Sequence, residues 1–155
     1  MQSKTYTLDE AKIRIANYCV YRDRSHKEVR EKLKSMGMIP VAIDELLNYL
    51  ISEDFLNEER YARSFARGKF NIKNWGKVRI KRELKAMELS DYCIKKALAE
   101  INPQEYEDTF HKISEKKAES LSNYPIQVQK KKLIDFLMYR GWESSMIFDK
   151  INEIF

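Results

Sequence analysis

Between residues 60 and 85 the chain carries Arg60, Arg63, Arg67, Lys69, Lys73, Lys77, Arg79, Lys81, Arg82 and Lys85 against Glu83 alone. That window holds +9 in a chain whose formal total is +5, so the remainder sums to −4 and the positive field is local. Arg60, Arg63 and Arg67 recur at i, i+3, i+7, and Lys77, Lys81 and Lys85 at i, i+4, i+8, so each set lines one side of a helix. Such stripes attract phosphates or an acidic protein face; as two solvated helix faces they would only aid solubility. Phe70 and Trp75 stand among Lys and Asn in the segment joining the stripes. They could stack on bases, enter a partner pocket or anchor a core, and all three readings stay open here.

Other chemistry finds little support. His26 and His111 are 85 positions apart, and neither has a second His or Cys at helical ligand spacing, so no metal site is expected. Gly76-Lys77 lacks the upstream glycine of a phosphate-binding loop. The carboxylates Glu58-Glu59, Glu105 and Glu107-Asp108 cluster where helices begin, and capping and dipole effects account for them there. No catalytic residue and no cofactor is therefore expected. Cys19 and Cys93 read as small core hydrophobes. The start of the sequence shows neither a signal peptide nor a membrane span, which predicts a cytoplasmic protein with no membrane partner.

These side chains need helices to position them. Only 4 Gly and 3 Pro occur in 155 residues, and 43% of the chain is hydrophobic, which suits an all-α fold with a packed core. Thr7-Leu8-Asp9-Glu10 and Ser25-His26-Lys27-Glu28 read as capping boxes, and Asn102-Pro103-Gln104-Glu105 as a capped start with Pro at the first helical position. Asn57 caps a helix led by Glu58 and Glu59, while Pro40 and Pro125 mark two further starts.

Apolar residues then recur at helical spacing: Ile13, Ala16, Val20; Val29, Leu33, Met36; Ile43, Leu46, Leu47, Leu50. A shift of 51 carries Val29, Leu33 and Met38 onto Ile80, Leu84 and Leu89, and a shift of 104 carries them onto Leu133, Leu137 and Trp142. Gly37 falls on Gly141 at a helix end that favours a left-handed residue, whereas the middle copy has Glu88, so that turn is expected to differ. The pattern predicts three tandem three-helix repeats, with a tail at 1–7 and units at 8–56, 57–101 and 102–155. A unit of about 50 residues is marginal alone, so neighbours are expected to share cores. Net basic charge favours a monomer.

Several stretches resemble the RecX regulators, which bind the bacterial recombinase RecA. Phe55-Leu56-Asn57-Glu58-Glu59-Arg60-Tyr61-Ala62 with Phe65 is the most specific, followed by Trp75-Gly76, Arg79-Ile80 and Glu83-Leu84. Arg22-Asp23-Arg24-Ser25 with Glu28 and Lys32-Leu33, and Phe136-Leu137-Met138-Tyr139-Arg140-Gly141-Trp142, extend the likeness to both ends. Asn57, Asn74 and Glu88 depart from residues that many members have there. The resemblance implies an elongated, curved array that lodges in the groove of the RecA–single-stranded DNA filament. There it would restrain strand exchange, ATP hydrolysis and repressor cleavage in DNA repair and the SOS response. The ten cations above, with Trp75, are the expected contacts to RecA and to single- or double-stranded DNA. General nucleic-acid binding is the alternative reading.

Overall fold

Thr7 and Ser25 both close capping boxes, each side chain accepting from the amide three residues on while Glu10 and Glu28 reach back. They open α1 (Leu8–Tyr21) and α2 (His26–Ser35), and Pro40 opens α3 (Pro40–Ser52). Asn57 caps α4 (Glu58–Lys73), Gly76 precedes α5 (Lys77–Ala86), and Ser90 caps α6 (Asp91–Ala99). Asn102 caps α7 (Pro103–Ser120); α8 (Ile126–Tyr139) and α9 (Ser144–Ile154) complete the chain. The structure is a computed structural model that describes residues 5–155, so positions 1–4 of the expected tail lie outside the described residues. Those residues form nine helices and no strand, an all-α tandem array.

The internal shifts hold to the residue at the core positions, although α8 begins four residues earlier than a shift of 104 from α2 would place it. α2 and α5 begin 51 positions apart, and α3, α6 and α9 begin at 40, 91 and 144. Val29, Ile80 and Leu133 are each 0% exposed, as are Leu33, Leu84 and Leu137, so equivalent positions fill equivalent places in each core. After each of these helices the same turn forms: Met38, Leu89 and Trp142 donate back to the carbonyls of Leu33, Leu84 and Leu137 at 3.1, 3.2 and 3.2 Å.

The middle turn does not differ as the sequence led us to expect. Glu88 adopts φ +64°, alongside +84° at Gly37 and +83° at Gly141. A left-handed L-residue costs about 1–2 kcal/mol, and burial of Leu89 together with the Leu89-to-Leu84 hydrogen bond holds the backbone there regardless.

Two further expectations need correction. The buried face of α1 is Ala11, Ile15 and Cys19, while Ile13 and Val20 are exposed. Both sets have helical spacing, and the one with smaller side chains is turned inward. Burial pushes the Cys19 thiol up to about 11. Cores are also shared unequally. The second and third units form one apolar cluster running from Tyr61 to Ile151, but the first keeps its own, from Ala11 to Leu56.

Candidate binding surface

The two junctions between units differ as the cores do. At the second, the first amides of α5 meet the last carbonyls of α8: Gly76 N donates to Arg140 O at 2.8 Å and Val78 N to Gly141 O at 3.0 Å. Lys77 N donates to the Tyr106 hydroxyl at 2.8 Å, and that hydroxyl donates to Glu143 at 2.7 Å. Burial, reinforced by the Glu143 carboxylate, pushes the Tyr106 phenol far up. Trp142 Nε1 donates to Asn74 O at 3.2 Å, and its ring lies 4.5 Å from that of Tyr106. Helix ends that ordinarily lack partners thus satisfy each other across the junction.

The first junction is polar. Arg60 Nε donates to Asp23 at 2.7 Å, and its terminal nitrogens reach the Asp54 carboxylate and carbonyl at 3.3 and 3.1 Å. His26 faces Glu58 at 3.5 Å, and Lys27 Nζ donates to the last carbonyl of α5, Ala86 O, at 3.1 Å. Glu28 accepts from Arg22 at 2.6 Å and from the Ser25 amide at 3.1 Å, and hydrogen-bonds Tyr61. Burial pushes the Glu28 carboxyl up, but the hydrogen bonds from Ser25, Arg22 and Tyr61 outweigh it and hold the carboxyl below its ordinary value of 4.5.

These contacts divide the sequence-predicted cations into groups. Arg60, Arg63 and Arg67 are neutralised: Arg63 pairs with Glu59 and, at 3.1 Å, with Glu100, which also takes Arg67 at 3.3 Å. Their acidic partners lie outside the 60–85 window, so the expected bare stripe on α4 is an ion-paired one. Arg79 lies 3.9 Å from the centre of the Trp75 ring and 4.6 Å from that of Tyr139, and donates to Tyr139 O at 3.0 Å. Lys69 Nζ sits 4.8 Å from the Trp75 ring, which in turn packs edge-on against Phe65 at 6.2 Å. Trp75 is therefore a half-buried anchor under two cations. Phe70 is buried 5.8 Å from Tyr106, a core anchor rather than a stacking platform.

The remainder is free. Lys73, Lys81, Arg82 and Lys85 are exposed and make no ion pair among the described residues. Lys77, Lys81 and Lys85 line a shallow groove of about 460 Å³ between α5 and α6, where Lys95 joins them against the single carboxylate Asp91. Sequence reasoning missed Lys95. Its signal is the constant shift itself, because residue 95 occupies α6 at the position that Asp44, a partner of Arg30, holds on α3. No helix among the described residues is long and apolar enough to cross a membrane.

A succession of three-helix units, each with the same turn between its second and third helices and the middle one carrying a cationic groove, defines a tandem helical-repeat protein. Residues 11–50, 57–98 and 104–151 match, in order, the first, second and third three-helix domains of RecX. The chain belongs to the RecX family of regulatory proteins. It is 30% identical over 152 residues to the regulatory protein RecX of Vibrio campbellii, covering 98% of this chain and 92% of that one. Against the regulatory protein RecX of Bacillus cytotoxicus it is 25% identical over 147 residues, and there the chain spans about half of the relative, 54% of its length. The crystal structure of RecX from Lactobacillus salivarius superposes with a TM-score of 0.81 at 27% identity, over 94% of this chain and 95% of that one.

Proposed function

We propose that this protein is a non-enzymatic regulator that binds the RecA–single-stranded DNA filament and restrains RecA's ATPase, strand-exchange and coprotease activities in DNA repair and the SOS response. Membership of the RecX family along nearly the whole chain carries this reading. The lysines of the α5–α6 groove, Lys81, Lys85 and Lys95 free and Lys77 held 4.9 Å from the Tyr106 ring, supply the attraction to an acidic filament surface or to DNA phosphates, with Lys73 and Arg82 beside them. Arg60, Arg63 and Arg67 shape the surface, and Lys69, Trp75 and Arg79 stiffen it. The protein acts as a cytoplasmic monomer through units 8–56, 57–101 and 102–155, without cofactor or membrane.

The test is RecA's DNA-dependent ATP hydrolysis and co-sedimentation of this protein with RecA filaments. Substoichiometric protein is expected to slow hydrolysis, because one elongated molecule spans several protomers. Unchanged hydrolysis and strand exchange at saturating protein in moderate salt would overturn the assignment. General nucleic-acid binding, the alternative, predicts equal sedimentation with bare strands and a steep loss of affinity with salt.

A further inference from the structure

A second groove lies away from the α5–α6 lysines, where the end of α4, one face of α7 and the last turns of α8 meet. It encloses about 660 Å³, and Lys112, Lys116, Lys117 and Arg140 line it with no carboxylate among them. Thr109, Lys112, Lys116 and Ser120 form one continuous edge of α7, beside the face that buries Tyr106, Phe110 and Ser114.

The state of these cations sets them apart from the arginines of α4. Lys112 and Lys116 are exposed and have no ion pair or hydrogen bond among the described residues. Arg140 and Lys117 are held at 4.1 and 5.2 Å from the Phe136 ring. An aromatic quadrupole orients a cation without cancelling its charge, whereas Glu59 and Glu100 do cancel charge on α4. The groove therefore keeps four positive charges in a concave, partly apolar site, an arrangement that concentrates the field on an anion.

We propose that this groove binds the phosphodiester backbone of single-stranded nucleic acid, a second contact site in the third unit and independent of the filament reading above. Lys112 and Lys116 are one turn apart, about 6 Å along the axis, a spacing that successive phosphates of an extended strand can follow. The hydroxyls of Thr109 and Ser120 and the amides of Asn71 and Asn74 add neutral hydrogen-bonding groups for sugar and base. The volume falls in the range of about 300–1,000 Å³ that encloses small ligands. It admits a nucleotide or two of a flexible strand and excludes the body of a duplex.

The experiment is fluorescence anisotropy of a labelled oligothymidylate of about 15 nucleotides with the full chain, RecA absent, at about 50 and about 200 mM salt. Lys112→Glu with Lys116→Glu is expected to weaken binding at least tenfold, and the milder Lys112→Gln with Lys116→Gln to lower the log–log salt slope by about 1.4, two contacts at about 0.7 each. Phe136→Leu leaves every charge in place but removes the ring that holds Lys117 and Arg140, and is expected to weaken binding about threefold. Lys12→Glu with Lys34→Glu, equal in charge and placed on the first unit, should do much less. Equal losses from the two reversed pairs, or unaltered binding in the groove variants, would overturn the proposal. So would displacement of the oligonucleotide by a mononucleotide at equal phosphate concentration, which would mark a nucleotide site. Groove variants that bind the oligonucleotide normally yet lose RecA filaments would assign the groove to acidic protein and also overturn it. Because RecA is absent from the anisotropy assay, its outcome does not depend on the filament reading.

Discussion

The amide of Gly76 donates to the carbonyl of Arg140 at 2.8 Å, joining the start of α5 to the end of α8 across 64 positions of sequence. Gly76 has no side chain with which to cap α5, and none is needed, since the first amides find partners on the neighbouring unit. The contact requires bare backbone on both sides. A Cβ on Gly76 would run into the Gly141 carbonyl, and one on Gly141 into the Arg79 backbone.

Gly141→Ala should therefore destabilise the protein by about 2–4 kcal/mol, combining left-handed strain with overpacking. Gly76→Ala should lose somewhat less, because its backbone is extended at φ −80° and only the clash applies. Gly68→Ala, where a Cβ meets nothing, should be neutral or slightly stabilising. Urea unfolding of the three variants checks the order.

The division of the cores predicts unequal effects of truncation. Residues 57–155 carry the whole second cluster, from Tyr61 to Ile151, and should fold cooperatively with near-native helix content by circular dichroism. Residues 5–101 break that cluster, uncover Phe70 where Tyr106 packs and leave the first amides of α5 without Tyr106, Arg140 and Gly141, so their second unit should be molten while the first persists. Equal loss of cooperativity in both fragments would contradict the separation of the cores.

Charge reversal should separate structural from free cations. Arg63→Glu with Arg67→Glu would set new carboxylates beside Glu59 and Glu100 and should lower the melting temperature by several degrees. Lys81→Glu with Lys85→Glu alters exposed, unpaired residues and should leave it within about a degree. Filament binding should follow the opposite order.

Acidification should act first on the polar junction. The Glu28 carboxyl lies below its ordinary value when folded, so its contribution is complete above that value and is lost as pH falls through the folded one. Glu28→Gln should flatten the decline of stability below about pH 4.5 and alter little below the folded value, where the wild-type carboxyl is protonated too. Thermal melts from pH 3 to 7 give the comparison.

Periodicity carried most of the fold. Shifts of 51 and 104 located the buried i, i+4 pairs of every unit's second helix and the starts of α5, α6 and α9, though α8 begins four residues earlier than its shift gives. It failed on α1, where Ile13 and Val20 are more apolar than Ala11 and Cys19, and close approach to α2 and α3 favoured the smaller residues. Charge was less legible. A count along the chain found ten cations, yet Asp23, Asp54 and Glu100, from loops and turns outside the counted window, together with Glu59 neutralise three of them. It also passed over α7, whose five acidic residues outnumber its three lysines in sequence while Lys112 and Lys116 share one edge. Faces and partners are three-dimensional quantities, and a linear sum averages over them.

The unequal junctions give the molecule a mechanical character. Its second and third units are welded by a common core and by backbone hydrogen bonds that salt does not weaken, so they behave as one beam. The first unit hangs from that beam on Arg60 and Lys27, charged groups near the surface whose grip slackens as ions screen them. Pulled or twisted along its length, the array yields at one joint, and ionic strength sets how stiff that joint is.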